Sequence, residues 1–125
     1  PPTSLFGLNL NRDSLPEDII ATAKSYWLKS PRQAYSLLYR AALSDIVHIE
    51  SFALHSSYTE GECVHLFSKH NKNSPKSNFF RTLTEQWVML AYGHQKISHH
   101  QFSQICLNWP EYFSTKKNEE EGKQQ

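Results

Sequence analysis

The chain has 125 residues, a net charge of +1 with neutral histidines, and 20% charged residues. This length predicts a single domain that can bury a core without disulfides or a metal, and the near-neutral charge gives no electrostatic reason to expect a nucleic-acid partner. The two cysteines, Cys63 and Cys106, form no Cys-x-x-Cys pair, which argues against a zinc knuckle. They could form a single disulfide, but two reduced thiols are the simpler interpretation. The sequence contains no run of about eighteen apolar residues and no signal peptide. We interpret the start at Pro1 as a processed product or an excised piece of a longer protein.

Five short motifs predict helix starts. A capping box places Ser or Thr at the N-cap and Glu or Gln three residues later, so that each side chain accepts a hydrogen bond from a backbone N–H that the helix leaves unpaired. The pattern occurs at residues 14–17, 30–33, 59–62 and 98–101, and Ser74-Pro75 gives a fifth start with proline in the first turn. Because each motif precedes apolar residues at helical spacing, the set predicts five helices.

The apolar spacing gives each helix its range. The predicted ranges are 15–29, 31–51, 60–70, 76–92 and 99–108. The second helix is apolar nearly all round and is expected at the centre, while Gly93 ends the fourth and Pro110 ends the fifth. The predicted fold is all-α, a single compact bundle of about five helices. Its predicted parts are an N-terminal entry segment at 1–13, a helical domain at 14–113 and a disordered tail at 114–125, which has no apolar residue.

Glu62 and His65 form a Glu-x-x-His pair, which metal-binding helical bundles place on one helix. Such bundles use two of these pairs, and the nearest second copy here is Asp45 with His48. At about 100° per residue, His65 also points away from the apolar side of its helix, towards Lys69. We therefore expect a capped, solvated helix with no cofactor and no stoichiometric metal, and we keep a metal-binding or catalytic site at Glu62 and His65 as an alternative.

Two other chemical sites are considered. Cys63 lies on an apolar helix side, and the neighbouring Glu60 and Glu62 oppose thiolate formation, so we expect a core thiol and no catalytic residue. His99 and His100 with Cys106 could supply part of a metal site, although surface histidines explain them as well. A DNA-binding helix-turn-helix in the second and third helices remains a further alternative. Against it, the connection at 52–58 is long for the tight turn, and the third helix offers only Lys69 as a clear phosphate contact.

Three residues are assigned structural roles. Thr59 is the predicted N-cap of the third helix, with Glu62 as its capping partner. Arg40 lies in the middle of the most apolar helix, and its guanidinium is costly to bury alone, so it needs a carboxylate or backbone carbonyls. Either its head group reaches water, or it pairs with a carboxylate from another helix. Glu62 is our hypothesis for that carboxylate, because its oxygens can cap the third helix and still accept from Arg40.

Several stretches together resemble an uncharacterised bacterial family, the domain of unknown function 4129. They are AYSLLYRAALSDIVH (34–48), YTEGECVHLF (58–67) and LTEQWVMLAYG (83–93), and the opening LFGLNLNRDSLPEDI (5–19) is similar to the entry of that domain. The resemblance covers roughly residues 5 to 109 and rests on short, largely structural motifs. It implies a small helical module, the C-terminal domain of certain membrane proteins, some of which carry a transglutaminase-like domain upstream. It implies no catalytic residue here.

The function expected from the sequence is a non-catalytic interaction or regulatory module with a protein partner, and not an enzyme. The resemblance implies a place on the cytoplasmic side of the inner membrane, as part of a longer membrane-anchored protein. No nucleic-acid partner is expected, and the sequence predicts neither the partner's identity nor the oligomeric state.

Overall fold

The structure is a computed structural model that describes residues 2–117. It is all-α, as predicted, with five α-helices and a small antiparallel hairpin. The hairpin strands are β1 (Ser4–Leu5) and β2 (Leu8–Asn9), and a 3-10 turn follows at Arg12–Ser14. The helices are α1 (Ile19–Trp27), α2 (Pro31–Ser44), α3 (Glu60–His70), α4 (Pro75–Ala91) and α5 (His99–Tyr112), and a π-helical turn at Asp45–Ile49 continues α2. None of the helices described in residues 2–117 is long and apolar enough to span a membrane.

Four of the five predicted helix starts are present. The side chains of Ser30, Thr59, Ser74 and Ser98 each accept a hydrogen bond from a backbone N–H three residues later. The start predicted at Ser14 is wrong, because α1 begins after Asp18, whose carboxylate accepts from the Ala21 N–H at 3.0 Å. The physical reason is Pro16. Its ring disfavours helical backbone at the preceding residue, and Leu15 is extended with ψ 146°.

Two predicted helix ends also differ from the structure. The second helix keeps α geometry only to Ser44, and its last residues form a π-helical turn in which the Glu50 N–H bonds to the Asp45 carbonyl five residues back. The fifth helix continues past Pro110. Proline removes one hydrogen bond from a helix, but the Phe113 N–H still bonds to the Trp109 carbonyl at 2.9 Å, and burial of both side chains holds the last turn.

The core is centred on α2, as its all-round apolar character predicts. Nine of its residues are buried, Ala34, Tyr35, Leu37, Leu38, Tyr39, Ala41, Ala42, Leu43 and Ser44. The fully buried ring of Tyr39 stacks on Phe80 at 6.1 Å and on Trp87 at 5.6 Å. α2 packs against both α1 and α4, and α3 packs against α4.

Both ends of the described chain dock on this bundle. The hairpin turns at Phe6 and Gly7, which both have positive φ, as short hairpin loops require, and Leu5 is buried. The predicted tail is ordered where it starts. The Thr115 carbonyl accepts from the Ile19 N–H at 2.9 Å, and the Lys117 N–H donates to the Glu17 carbonyl at 3.2 Å. The prediction of disorder is therefore wrong for residues 114–117, because main-chain pairing does not require apolar side chains. Residues 118–125 of that tail lie outside the described residues.

Candidate functional site

The Glu-x-x-His pair lies on the exposed side of α3. The structure contains the predicted capping box, in which the Glu62 N–H bonds to the Thr59 hydroxyl and a Glu62 carboxylate oxygen accepts from the Thr59 N–H, both at 3.0 Å. His65 is exposed. Within residues 2–117 no three His, Cys, Asp or Glu side chains gather around a common point. The described residues thus give Glu62 a capping role and bring no third ligand to the pair.

The proposed pair of Arg40 with Glu62 is wrong. The Arg40 guanidinium donates instead to the Ser14 hydroxyl at 3.0 Å, to the Ser14 carbonyl at 3.3 Å and to the Asn9 carbonyl at 3.4 Å. The reason is that α3 packs on α4, whereas Arg40 faces the segment before α1. The half-buried Arg40 head group is therefore satisfied by carbonyl and hydroxyl oxygens.

A different glutamate connects α3 to its neighbour. One carboxylate oxygen of Glu60 accepts from the Tyr92 hydroxyl at 2.7 Å and from the Trp87 indole N–H at 3.4 Å. The guanidinium of Arg32 lies 5.9 Å from the centre of the Trp87 ring. The sequence carries no local signal for this cluster, because its members come from three helices whose packing angles decide the contacts.

The two thiols are buried and free. Burial, with the charges of Glu60 and Glu62, raises the pKa of Cys63 to about 11. Burial also raises the pKa of Cys106 to about 11, and the nearby charge of Lys24 opposes that rise. At neutral pH both groups are protonated core thiols, which agrees with the packing role expected for Cys63 and does not favour nucleophilic chemistry.

The histidines and basic residues do not form a second chemical centre within residues 2–117. His99 and His100 begin α5 as exposed side chains. The segment between the π-helical turn and α3 covers residues 50–59, which is long for the tight turn of a helix-turn-helix. Among the basic side chains near α3, Lys76 is paired with Glu50 at 2.6 Å and Arg81 donates to Ser68 at 3.0 Å.

The most exposed large apolar side chains meet at one surface, which we call the apolar groove. It lies between α1 and α5 with a volume of about 560 Å³, and it is lined by Lys24, Trp27, Leu28, His99, Phe102, Ser103, Gln104, Cys106 and Leu107. Leu28 is 85% exposed and Leu107 is 71% exposed, the highest values among the large hydrophobic residues described. Two solvent-exposed leucine side chains therefore line the same groove.

An aromatic stack forms part of the lining of the apolar groove. The indole of Trp27 stacks on the ring of Phe102 with centroids 4.4 Å apart and planes 5° from parallel, and His99 lies 6.2 Å from the same indole. Phe102 is buried and Trp27 is half-buried, so the stack ties the end of α1 to the first turn of α5. Lys24 is the one lysine, arginine or carboxylate side chain among the lining residues.

Sequence analysis did not single out this groove. The sequence interpretation gave no role to Leu28 or Leu107. The available signal was weak, because each leucine lies off the main apolar stripe of a helix, where a single exposed leucine is ordinary. Only the packing of α1 against the start of α5 brings the two side chains to one place.

Comparisons with known proteins add no relative whose function could be transferred. The chain matches no protein-family model, no curated protein and no solved structure. What the protein does must therefore follow from the chemistry of its own residues.

Proposed function

We propose that the domain is a non-catalytic protein-interaction module that binds its partner in the apolar groove. The observation that carries the proposal is that Leu28 and Leu107, 85% and 71% exposed, line one groove. Contact of apolar side chains with water costs free energy, and a partner that covers them removes this cost. Clusters of exposed apolar side chains therefore mark interaction sites. The two buried, protonated thiols fit a binding role and not a nucleophilic one.

The preferred occupant is an amphipathic helix of a partner protein. A groove between two helices accepts a third helix whose apolar face carries anchors at positions i, i+3 or i+4. The flat ring of Trp27, held by its stack on Phe102, offers such an anchor a preformed contact with little ordering cost. Lys24, at the edge of the apolar groove, adds a preference for a carboxylate on the partner's polar face.

The test compares partner capture by matched variants. The wild-type domain, the Leu28→Ser and Leu107→Ser double variant, and Lys24→Glu are cross-linked to their partner in cells that express the full chain. Lys69→Glu is the control for charge, because Lys69 is exposed on α3, outside the apolar groove. We expect the same partner protein with the wild type and Lys69→Glu, much less with Lys24→Glu, and none with the double variant.

The folding of each variant is checked by thermal unfolding. Substitutions at exposed side chains usually change stability by about 0.5 kcal/mol or less, so the double variant is expected to remain folded. Equal capture by the wild type and the double variant would contradict the proposal. A change in oligomeric state of the purified double variant, measured by sedimentation, would instead make a second copy of this chain the occupant.

We also propose that the module is the cytoplasmic C-terminal domain of a bacterial membrane protein. The support for this part is the resemblance of residues 34–48, 58–67 and 83–93 to the domain of unknown function 4129, together with two thiols that are free. The measurement is protease digestion of intact cells and of inverted membrane vesicles that contain the natural full-length protein. Protection of the domain in cells and cleavage in inverted vesicles is expected, and the reverse pattern would place it on the other side.

A further inference from the structure

We infer that the groove between α4 and α5 is a second binding site, which takes the main chain of an uncharged, extended peptide segment. We call it the amide groove. Its volume is about 430 Å³, and its lining residues are Asn78, Phe79, Thr82, Gln86, His100, Gln101, Gln104, Ile105, Asn108 and Tyr112. Five of these are primary carboxamides, and none is a lysine, an arginine or a carboxylate.

The polar side chains form two facing rows. On α5, His100, Gln104, Asn108 and Tyr112 follow one another at four-residue spacing, which places them on one side of the helix. On α4, Asn78, Thr82 and Gln86 repeat the same spacing. The two helices run in opposite directions along the amide groove, because the rings of Phe79 and Tyr112, near the start of α4 and the end of α5, lie 5.1 Å apart.

The length of the rows fits an extended peptide. The α5 row runs from His100 to Tyr112, a rise of roughly 18 Å over twelve helical steps. An extended chain covers about 3.3 Å per residue, so about five residues of a peptide fit along the amide groove.

The hydrogen-bonding groups of the rows match a peptide backbone. Each carboxamide presents two donors and an acceptor, and each peptide unit presents one N–H and one C=O, which must both be satisfied when water is displaced. The carboxamides of Gln104 and Asn108 make no hydrogen bond to another residue in the described part of the chain. The other three carboxamides already bond within the chain. The Gln86 oxygen accepts from the Tyr35 hydroxyl at 2.6 Å, the Gln101 oxygen accepts from the Ser98 N–H at 2.9 Å, and the Asn78 amide donates to the Asn73 carbonyl at 3.5 Å.

The apolar residues that line the amide groove favour a peptide over a saccharide as the ligand. Phe79 and Ile105 are buried and supply apolar contacts for small side chains. Of the two aromatic rings in the lining, Phe79 is 9% exposed and the half-buried Tyr112 is tilted by 34° against it, so the two rings do not form one flat face for a sugar ring. With no carboxylate, lysine or arginine in the lining, a charged ligand would lose hydration without gaining a strong ion pair.

The test uses a displayed library of random heptapeptides as the probe. The library is selected on the folded domain, and the most enriched peptide is synthesised and titrated into ¹⁵N-labelled protein. We expect enriched sequences without charged residues, shifted signals of the Gln104 and Asn108 side-chain amides, and affinity lowered on the order of tenfold by Gln104→Ala with Asn108→Ala, because two hydrogen bonds are lost.

Matched controls separate this site from the rest of the surface. Gln33→Ala with Gln95→Ala removes two exposed carboxamides elsewhere and is expected to leave the affinity unchanged. Gln104 also lines the apolar groove, so the Leu28→Ser and Leu107→Ser double variant is included and is likewise expected to bind normally. Failure of this proposal therefore leaves the function proposed for the apolar groove standing, and the reverse also holds.

Three results would overturn the inference. The first is that the wild-type domain enriches no peptide relative to the Gln104→Ala and Asn108→Ala double variant. The second is that the enriched peptides carry charged residues. The third is that the shifted NMR signals belong to residues outside the amide groove. Chitotetraose, an uncharged saccharide, is titrated in parallel. Shifts of the same side-chain amides by chitotetraose without enrichment of any peptide would assign the amide groove to a saccharide and reject the peptide.

Discussion

The guanidinium of Arg40 lies 3.0 Å from the hydroxyl of Ser14 and ties the middle of α2 to the turn before α1. The same head group reaches the carbonyls of Ser14 and Asn9. One side chain of the central helix thus holds the segment that precedes α1. The main-chain carbonyls of this segment have no partner within a helix, and Arg40 supplies donors for two of them. Burial lowers the pKa of the Arg40 guanidinium, which still carries its charge at neutral pH.

The Arg40 contact predicts which residues couple energetically. In a double-mutant cycle of Arg40→Met with Ser14→Ala, the coupling energy is expected to be roughly 0.5–1.5 kcal/mol, the range for one hydrogen bond. The control cycle pairs Arg40→Met with Glu62→Gln and is expected to show no coupling, because Glu62 caps α3. Denaturant unfolding of all variants supplies both values, and a larger coupling with Glu62 than with Ser14 would contradict the structure.

The capping box of α3 predicts a measurable loss on truncation. Thr59→Ala removes the acceptor of the Glu62 N–H and should lower the free energy of unfolding by about 1 kcal/mol. The control is Ser57→Ala, at an exposed turn position outside the helix, which should change the midpoint of urea unfolding very little. An unchanged midpoint for Thr59→Ala would show that the box adds nothing to stability.

Local chemistry explains what the sequence could predict. The caps at Ser30, Thr59, Ser74 and Ser98 depend on atoms within three residues of each other, and those starts were predictable to within a residue. Ser14 shows the limit of such motifs, because the same pattern occurred there and Pro16, two residues on, forced the chain to extend. A capping motif is therefore informative only when the residues after it can enter a helix.

The candidate sites depend on tertiary contacts and were less accessible from the sequence. Arg40 was correctly identified as needing polar partners, but its direction depends on the rotation of α2 and on the packing of α3 against α4. The apolar groove needs Leu28 and Leu107 to come to one groove from two helices that are distant in sequence. Hydrophobic periodicity reports the side of a helix that is buried, not the neighbour that buries it.

Residues 114–117 are expected to contribute to stability. Deleting residues 114–125 removes the main-chain bonds of Thr115 to Ile19 and of Lys117 to Glu17, and it also removes the Ser114 carbonyl that accepts from the Trp109 indole at 3.1 Å. We expect a loss on the order of 1–3 kcal/mol, seen as a lower melting temperature than that of a chain lacking only residues 118–125. Equal melting temperatures for the two truncations would show that the pairing adds nothing.

The buried thiols are expected to be unreactive in the folded protein. With the pKa raised to about 11 at Cys63 and Cys106, roughly one thiol in a thousand is ionised at pH 8. Alkylation by iodoacetamide should therefore be at least about a hundredfold slower in buffer than in 8 M urea, where both cysteines are exposed. Rapid labelling of Cys63 in the folded state would reopen a chemical role for the start of α3.

The last prediction concerns Asp45, a carboxyl that is 6% exposed at the beginning of the π-helical turn. Burial raises its pKa above the usual 3.8, while the Ser114 N–H and the charges of Lys76 and Arg12 oppose the rise. Because the folded state binds the proton more tightly than the unfolded state, the Asp45 contribution to stability is largest at low pH. It declines as the pH rises from the usual value through the raised folded value and is constant above it.

Asp45→Asn removes this titration and keeps an oxygen for the Ser114 N–H, which lies 3.3 Å from the carboxylate. The variant should therefore gain stability relative to the wild type as the pH rises through that window, and the difference should then level off. Urea unfolding at pH steps from 3.5 to 8 measures it, with the exposed Asp13→Asn as the control. The opposite result is a stability of the variant, relative to the wild type, that falls as the pH rises. It would mean that the bond of the ionised carboxylate to residue 114 outweighs the cost of burying its charge. The pKa of Asp45 would then be lowered by folding and not raised.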